Sequence, residues 1–246
     1  MVLAWRNLRR AAGAAPFSRT LIPARPLGTS NAATGTARGL DPFAFRRDTA
    51  RVARYADSLT LLEARRQYFD ANGFGEGGYD AKWVSVKIGP VPFAFPNTPQ
   101  RVRSVRLHDL HHVVTDYDTD MTGEAEIGAW EIASNCRDHW AAWLLNLFAL
   151  GMGLFISPAR MWRAFVRGRR SRNLYEREFD EAMLGGTVRD LRCQLRLDSD
   201  PESFAGSDAA LFLLWSAAAL GTLGLAAALL VMPIVLLVGW VARLAS

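Results

Sequence analysis

Between Ala209 and Ala242 the sequence reads AALFLLWSAAALGTLGLAAALLVMPIVLLVGWVA, with no charged side chain anywhere in it. A helix on a soluble domain keeps one polar face. A run this long and apolar on every side belongs in lipid. Two arrangements satisfy it: one long tilted helix across a bilayer, or two short membrane-inserted helices parted near Pro233. In either, Trp215 and Trp240 suit the level of the headgroups, and Arg243 can snorkel from the last turn. Residues 208–245 are therefore expected to anchor the chain.

The rest of the chain divides by charge. Residues 1–39 carry Arg6, Arg9, Arg10, Arg19, Arg25 and Arg38 and no acid, set among Ala, Gly, Ser, Thr and Pro. That is the composition of a mitochondrial transit peptide and equally of a disordered basic arm, so residues 1–45 are placed outside the fold. Over 246 residues, 29 Lys and Arg oppose 24 Asp and Glu, a net charge of +5. Such a surface suits nucleic acid or an anionic membrane. The arginines at positions 160, 163, 167, 169, 170 and 172 alternate with Trp162 and Phe165 ahead of the apolar run, which favours anionic headgroups and no nucleic acid. Cys136 and Cys193 make no disulfide framework; each is expected to be a small buried hydrophobe in a reducing compartment.

Residues 46–200 are long enough for a core and read as a compact helical domain, so the fold class is all-α with a C-terminal membrane segment. Apolar residues from Asp48 to Asn72 fall at helical spacing and predict an amphipathic helix or helix pair. GFGEGGYD follows without a preceding strand, so it is a flexible turn and no phosphate loop. KWVSVKIGPVPFAFPNTP alternates apolar and polar residues between prolines, which fits a short hairpin or an extended segment. Trp140 to Ile156 is apolar but short for a span, hence a buried or interfacial helix. Ser157 and Pro158 supply a cap and first-turn proline for the basic helix after it. Gly185 and Gly186 stop the next segment, and TVRDLRCQLRL is the last helix before Asp198.

The chemistry concentrates in RLHDLHHVVTDYDTDMTGEAE, Arg106 to Glu126, which holds three of the four histidines. On a helix His108 and His112 project from one face, at a separation that grips one metal ion. Asp109 follows His108 by about 100° of rotation, within reach of the same ion or of an imidazole it would orient. The linker to Gly123 is long enough to reverse the chain, so that Glu124 points back at the histidines. Two imidazoles with one or two carboxylates suit zinc, the foremost candidate, and non-haem iron alike. His111 is expected beside the site, Asp116, Asp118 and Asp120 as turn and cap residues, and His139 as a packed histidine. HDxxH lacks the general-base Glu of the metalloprotease motif.

HDLHHVVTDYDTDMTGE resembles the signature of the coenzyme Q biosynthesis protein 4 family: His-Asp, two residues, His, eleven residues, Glu. RAFVRGRRSRNLYEREFDEAMLGGTVRDLRCQLRL is similar to the basic and closing helices of that family, so the likeness runs from about Val102 to Leu197. The segment before the motif and the apolar tail depart from the pattern. The resemblance implies metal ligation by His108, Asp109, His112 and Glu124 and nothing further of the site; Asp109 and Glu124 are expected on their own chemistry to serve as the catalytic carboxylates. It implies an all-helical, membrane-peripheral protein of ubiquinone biosynthesis, on the matrix face in mitochondria or the cytoplasmic face in bacteria. Its activity would replace the carboxyl of a prenylated hydroxybenzoate by a hydroxyl. Its partners would be that isoprenoid lipid and the other ubiquinone-biosynthesis proteins, with a homodimer left open. The alternative is a non-catalytic lipid-binding scaffold that organises such a complex.

Overall fold

The computed structural model describes residues 54–88, 91–197 and 205–244; the basic arm and the start of the first expected helix lie outside them. The described chain is a compact, mostly helical domain with one long C-terminal apolar helix. The first helix, α1, is Leu61–Asn72. It starts at Thr60 in a capping box: the Thr60 hydroxyl accepts from the Glu63 amide at 3.2 Å, and the Glu63 carboxylate accepts from the Thr60 amide at 2.9 Å. It is shorter than its periodicity predicts. The backbone ahead of it bonds across the chain, Leu61 N to Gly186 O and Val188 N to Leu59 O, and those bonds compete with helix.

Gly73 ends α1 in a left-handed conformation, and Gly75, Gly77 and Gly78 share that sign of φ. The glycine-rich stretch is thus a turn. Trp83–Ile88 and Val91–Pro96, β1 and β2, form an antiparallel hairpin with Trp83 opposite Pro96 and Ile88 opposite Val91. Then come α2 (Pro99–Thr115), α3 (Met121–Ser134), α4 (Trp140–Ile156) and α5 (Pro158–Arg170). Two 3₁₀ turns, Leu174–Glu176 and Glu181–Gly185, lead to α6 (Val188–Gln194), and α7 is Gly206–Leu244. Helix α3 lies at the centre, with Ala125, Ile127, Ala129 and Trp130 fully buried among residues of α2, α4 and α5.

Two expectations need correction. Ser157 precedes α5, but its side chain caps nothing; Pro158 alone sets the first turn. Cys136 is buried, whereas Cys193 is exposed. Helix α6 turns Val188, Leu191 and Leu195 inward, and position 193 falls on the opposite face. The apolar tail is one continuous helix that carries Pro233 within it. By length and composition it can cross a membrane.

The arginine-rich helix α5 makes bonds inside the protein. Arg160 donates to Glu126 at 2.9 and 2.5 Å. Arg167 donates to the Thr115 carbonyl, and Arg169 and Arg170 hold Asp208 at the start of α7. Phe212 of α7 packs on Trp162 and Phe165. The alternation of arginine with aromatic residues thus fastens the long helix to the body.

Candidate metal centre

Helix α2 begins at the Thr98 cap with Pro99 in its first turn, and runs to Asp116 in the left-handed region. A non-glycine residue there is held by its side chain: the Asp116 carboxylate accepts from Arg192 at 2.9 and 3.0 Å and from the Arg54 amide at 3.0 Å. Asp120 caps α3 through the Gly123 amide at 2.7 Å, and Asp118 pairs with Arg54. The three aspartates are thus cap and turn residues. Gly123 is required by contact, since a Cβ there would lie 2.2 Å from the Asp118 carbonyl oxygen. The tight reversal sends α3 back along α2.

That reversal brings His108, His112 and Glu124 together, with one ligand atom of each within 4.8 Å of the others. The two Nε2 atoms are 3.2 Å apart, and the Glu124 oxygens lie 3.6 Å from His108 Nε2 and 3.7 Å from His112 Nε2. Two nitrogens bound tetrahedrally to one zinc ion are about 3.3 Å apart. His112 Nδ1 sits 3.1 Å from the Tyr117 carbonyl, which only accepts, so Nδ1 carries the proton. His108 Nδ1 is 2.8 Å from Glu131. With both Nδ1 atoms committed to acceptors, the Nε2 lone pairs face one another and repel unless a cation or a proton lies between them. Burial, followed by the neighbouring His108, holds His112 well below the usual imidazole range and therefore neutral. The residues present fit a divalent ion.

Glu131 is the anchor of this arrangement, and the sequence motif does not contain it. One of its oxygens accepts from His108 and, at 2.6 Å, from His111; the other accepts from Asn146 at 2.6 Å and from Tyr175 at 2.9 Å. Burial pushes its carboxyl up, but His108 and His111 outweigh that and hold it well below the usual carboxylate range. His111 Nε2 accepts from the Leu174 amide at 2.8 Å, so both its nitrogens are spent beside the site. Orienting partners of this kind are half of a metal site. Their signal was available in the sequence: Glu131 lies seven residues after Glu124, hence on the same helical face, as a lone acid in GAWEIA. Asn146 is likewise the one polar residue of WLLNLF.

Asp109 stands apart from the group of three. Its step around α2 turns it toward the glycine-rich turn, where Tyr79 donates to Oδ2 at 2.6 Å. Oδ1 is buried without a hydrogen-bond partner. Burial, opposed by the Tyr79 hydrogen bond, pushes the carboxyl up to about 6. Asn97 fixes the turn by donating to the carbonyls of Gly78, Tyr79 and Ala81. His139 is packed, as its context suggests, with Nδ1 3.1 Å from the Ser104 hydroxyl and its ring against Tyr175. Cys136 is no ligand: burial pushes its thiol well up, and Asn146 donates to its sulfur at 3.4 Å.

The site forms one side of a narrow cleft with a cavity volume of about 30 Å3. His108, Asp109 and Glu124 supply polar atoms, and Ala142, Leu145 and Ala149 supply an apolar wall from one face of α4. No family model, no curated protein and no solved structure matches the chain.

Proposed function

We propose that the chain is a metal-dependent enzyme of ubiquinone biosynthesis, replacing the carboxyl of a polyprenyl-hydroxybenzoate-type ring by a hydroxyl at a membrane surface. One observation carries this: a cation-ready cluster and an apolar helical wall share one cleft. An acidic ring on a greasy tail matches both halves, and the sequence signature points to the same chemistry. His108, His112 and Glu124 would hold the ion, zinc or iron. A divalent ion there supplies the positive charge that stabilises the electron-rich ring left when carbon dioxide departs.

The side chains do the remaining work. Glu131 and the Tyr117 carbonyl hold the two Nδ1 atoms and so keep both Nε2 atoms aimed at one point. Asp109 offers Oδ1 to a ring hydroxyl and holds or releases its proton, while Tyr79 fixes the carboxyl plane. Ala142, Leu145 and Ala149 exclude water along the tail. Exchange of carboxyl for hydroxyl is a two-electron oxidation; with dioxygen as the oxidant and water as co-reactant, the ring gains a hydroxyl, carbon dioxide leaves, and dioxygen is reduced to hydrogen peroxide. The partners on this reading are the prenylated lipid, the bilayer and other ubiquinone-biosynthesis proteins, on the matrix face in mitochondria or the cytoplasmic face in bacteria.

The test is metal content and turnover of the purified full chain. Near-stoichiometric metal in the wild type, lost in His108→Ala/His112→Ala, with hydroxylated product made only by the wild type, is the expected result. Metal without turnover, and a Glu124→Ala chain that loses stability or recovery of its partner proteins, would leave a scaffold whose ion locks two helices. A wild type purified without chelators that carries no metal sinks the site itself.

A further inference from the structure

Helix α7 has two halves that meet different surroundings. Its first half is docked. Trp215 stacks on Trp143 of α4 with ring centroids 4.9 Å apart, Ala219 is fully buried, and Leu223 lies so close to Gly151 that a Cβ there would come within 2.6 Å of it. Both α4 contacts keep the same offset in sequence, so the two helices run side by side in the same direction. Beyond Ala226 the docking ends: every side chain described from Ala227 to Leu244 is exposed, and nearly all are apolar.

The free half is about 27 Å long at 1.5 Å per residue, close to the roughly 30 Å hydrocarbon core of a bilayer. Carried forward at the same offset, the end of α4 comes level with the start of that free half. There the chain exposes Phe155 at 76% and Ile156 at 46%, at the corner between α4 and α5. Phe155 and Ile156 are adjacent and form an apolar corner at the level where α7 leaves the body, which fits contact with the medium that α7 enters. The docked half also shows Leu213 and Leu214 to the outside, while Asp208 and its two arginines mark the far, polar end of the helix.

We propose that the protein meets the bilayer at two places: the free half of α7, from Ala227 to Leu244, spans the hydrocarbon core, and Phe155 and Ile156 seat the body in the near leaflet. The docked half of α7 then stands above the membrane as a pillar of the domain and is no part of the span. Helix α4 runs from the cleft wall at Ala142, Leu145 and Ala149 down to the seat, so a lipid-borne ligand can reach the cleft along one helix. The proposal rests on α7 being a membrane helix, and the experiment separates the two.

Single nitroxide labels are placed on the full chain in a Cys193→Ser background, at Phe155→Cys, Leu236→Cys and, as a water reference, Gln67→Cys. The proteins are reconstituted in vesicles of phosphatidylcholine with anionic phosphatidylglycerol. Collision with oxygen is compared with collision with a water-soluble nickel chelate. The expected order of depth is 236 in the hydrocarbon core, 155 at the acyl and headgroup boundary, and 67 in water. Position 155 as open to nickel as position 67, with 236 deep, overturns the seat and leaves the span. Low collision of 155 with both reagents assigns the corner to a protein contact and overturns the seat as well. Position 236 open to nickel overturns the membrane helix itself.

Discussion

The α2–α3 reversal and the free half of α7 are built on opposite principles. At the reversal a few polar groups are buried and every one is tied: Glu131 alone takes hydrogen bonds from His108, His111, Asn146 and Tyr175. Along α7 beyond Ala226 every described side chain is exposed. One region derives its geometry from mutual constraint in a low dielectric, where an unpaired group is costly. The other, on the proposal that it enters a bilayer, needs nothing except helix and hydrophobicity. Mutations should therefore act strongly and over a distance in the first, and weakly and locally in the second.

The largest effect is expected from Glu131→Ala. It strands two imidazoles, an amide and a phenol in the core, a loss on the scale of about 3–5 kcal/mol for a broken buried ionic network. Chemical denaturation in detergent measures it, and Glu131→Gln should recover part, because an amide oxygen still accepts from one or two donors. A Glu131→Ala chain as stable as the wild type would mean that the network is not tight, and the contrast between the regions would collapse.

Next comes the ion. If the cluster binds a divalent metal in the folded state only, a free ion at about 1,000 times its dissociation constant adds about 4 kcal/mol of stability. Thermal unfolding of stripped and reloaded protein reads this directly. His112→Ala should abolish the gain, since its ring supplies one of two converging Nε2 atoms. A metal-dependent rise that survives in His112→Ala would move the ion elsewhere in the chain.

Asp109→Asn sharpens the boundary of the site. The variant can still accept from Tyr79, and it removes charge from a carboxylate that lines the cleft but lies outside the group of three. Metal content should stay within about twofold of wild type, because a ligand set of two imidazoles and Glu124 is untouched, while turnover should fall by about 10²-fold or more for loss of a general base. Loss of metal in parallel with turnover would return Asp109 to the ligand set.

How much of this was legible beforehand follows from the same contrast. The apolar tail was legible as one long apolar helix by composition alone, because an uninterrupted uncharged run needs no partner to be recognised. His108, His112 and Glu124 were legible by period and by the length of the reversal between them. Glu131, Tyr79 and Asn146 were not found, although two of them stand out as lone polar residues in apolar runs; their roles depend on which helix faces them, and period does not carry that information. The direction of Asp109 depended on the glycine-rich turn folding back over α2, and the length of α1 on long-range bonds to Gly186 and Val188. The internal partners of the arginine cluster were not legible for the same reason: Glu126 and Asp208 are distant in sequence.

The smallest effect is the most searching for α7. Leu229 is 67% exposed and touches no described neighbour in the core. Leu229→Ala in detergent should change the unfolding free energy of the body by no more than about 0.5 kcal/mol, the usual range for surface positions. Metal content and turnover should not move. Detergent occupies the position that lipid holds, so removing a side chain there opens no cavity in a packed core. A loss above about 1 kcal/mol, the scale of a core truncation and not of a surface one, would show that Leu229 is packed. The partner would then be a second copy of the chain, because the rest of the body lies behind the docked half. A dependence of that loss on protein concentration would establish the dimer, and the free half of α7 would join the site as a region held by mutual constraint.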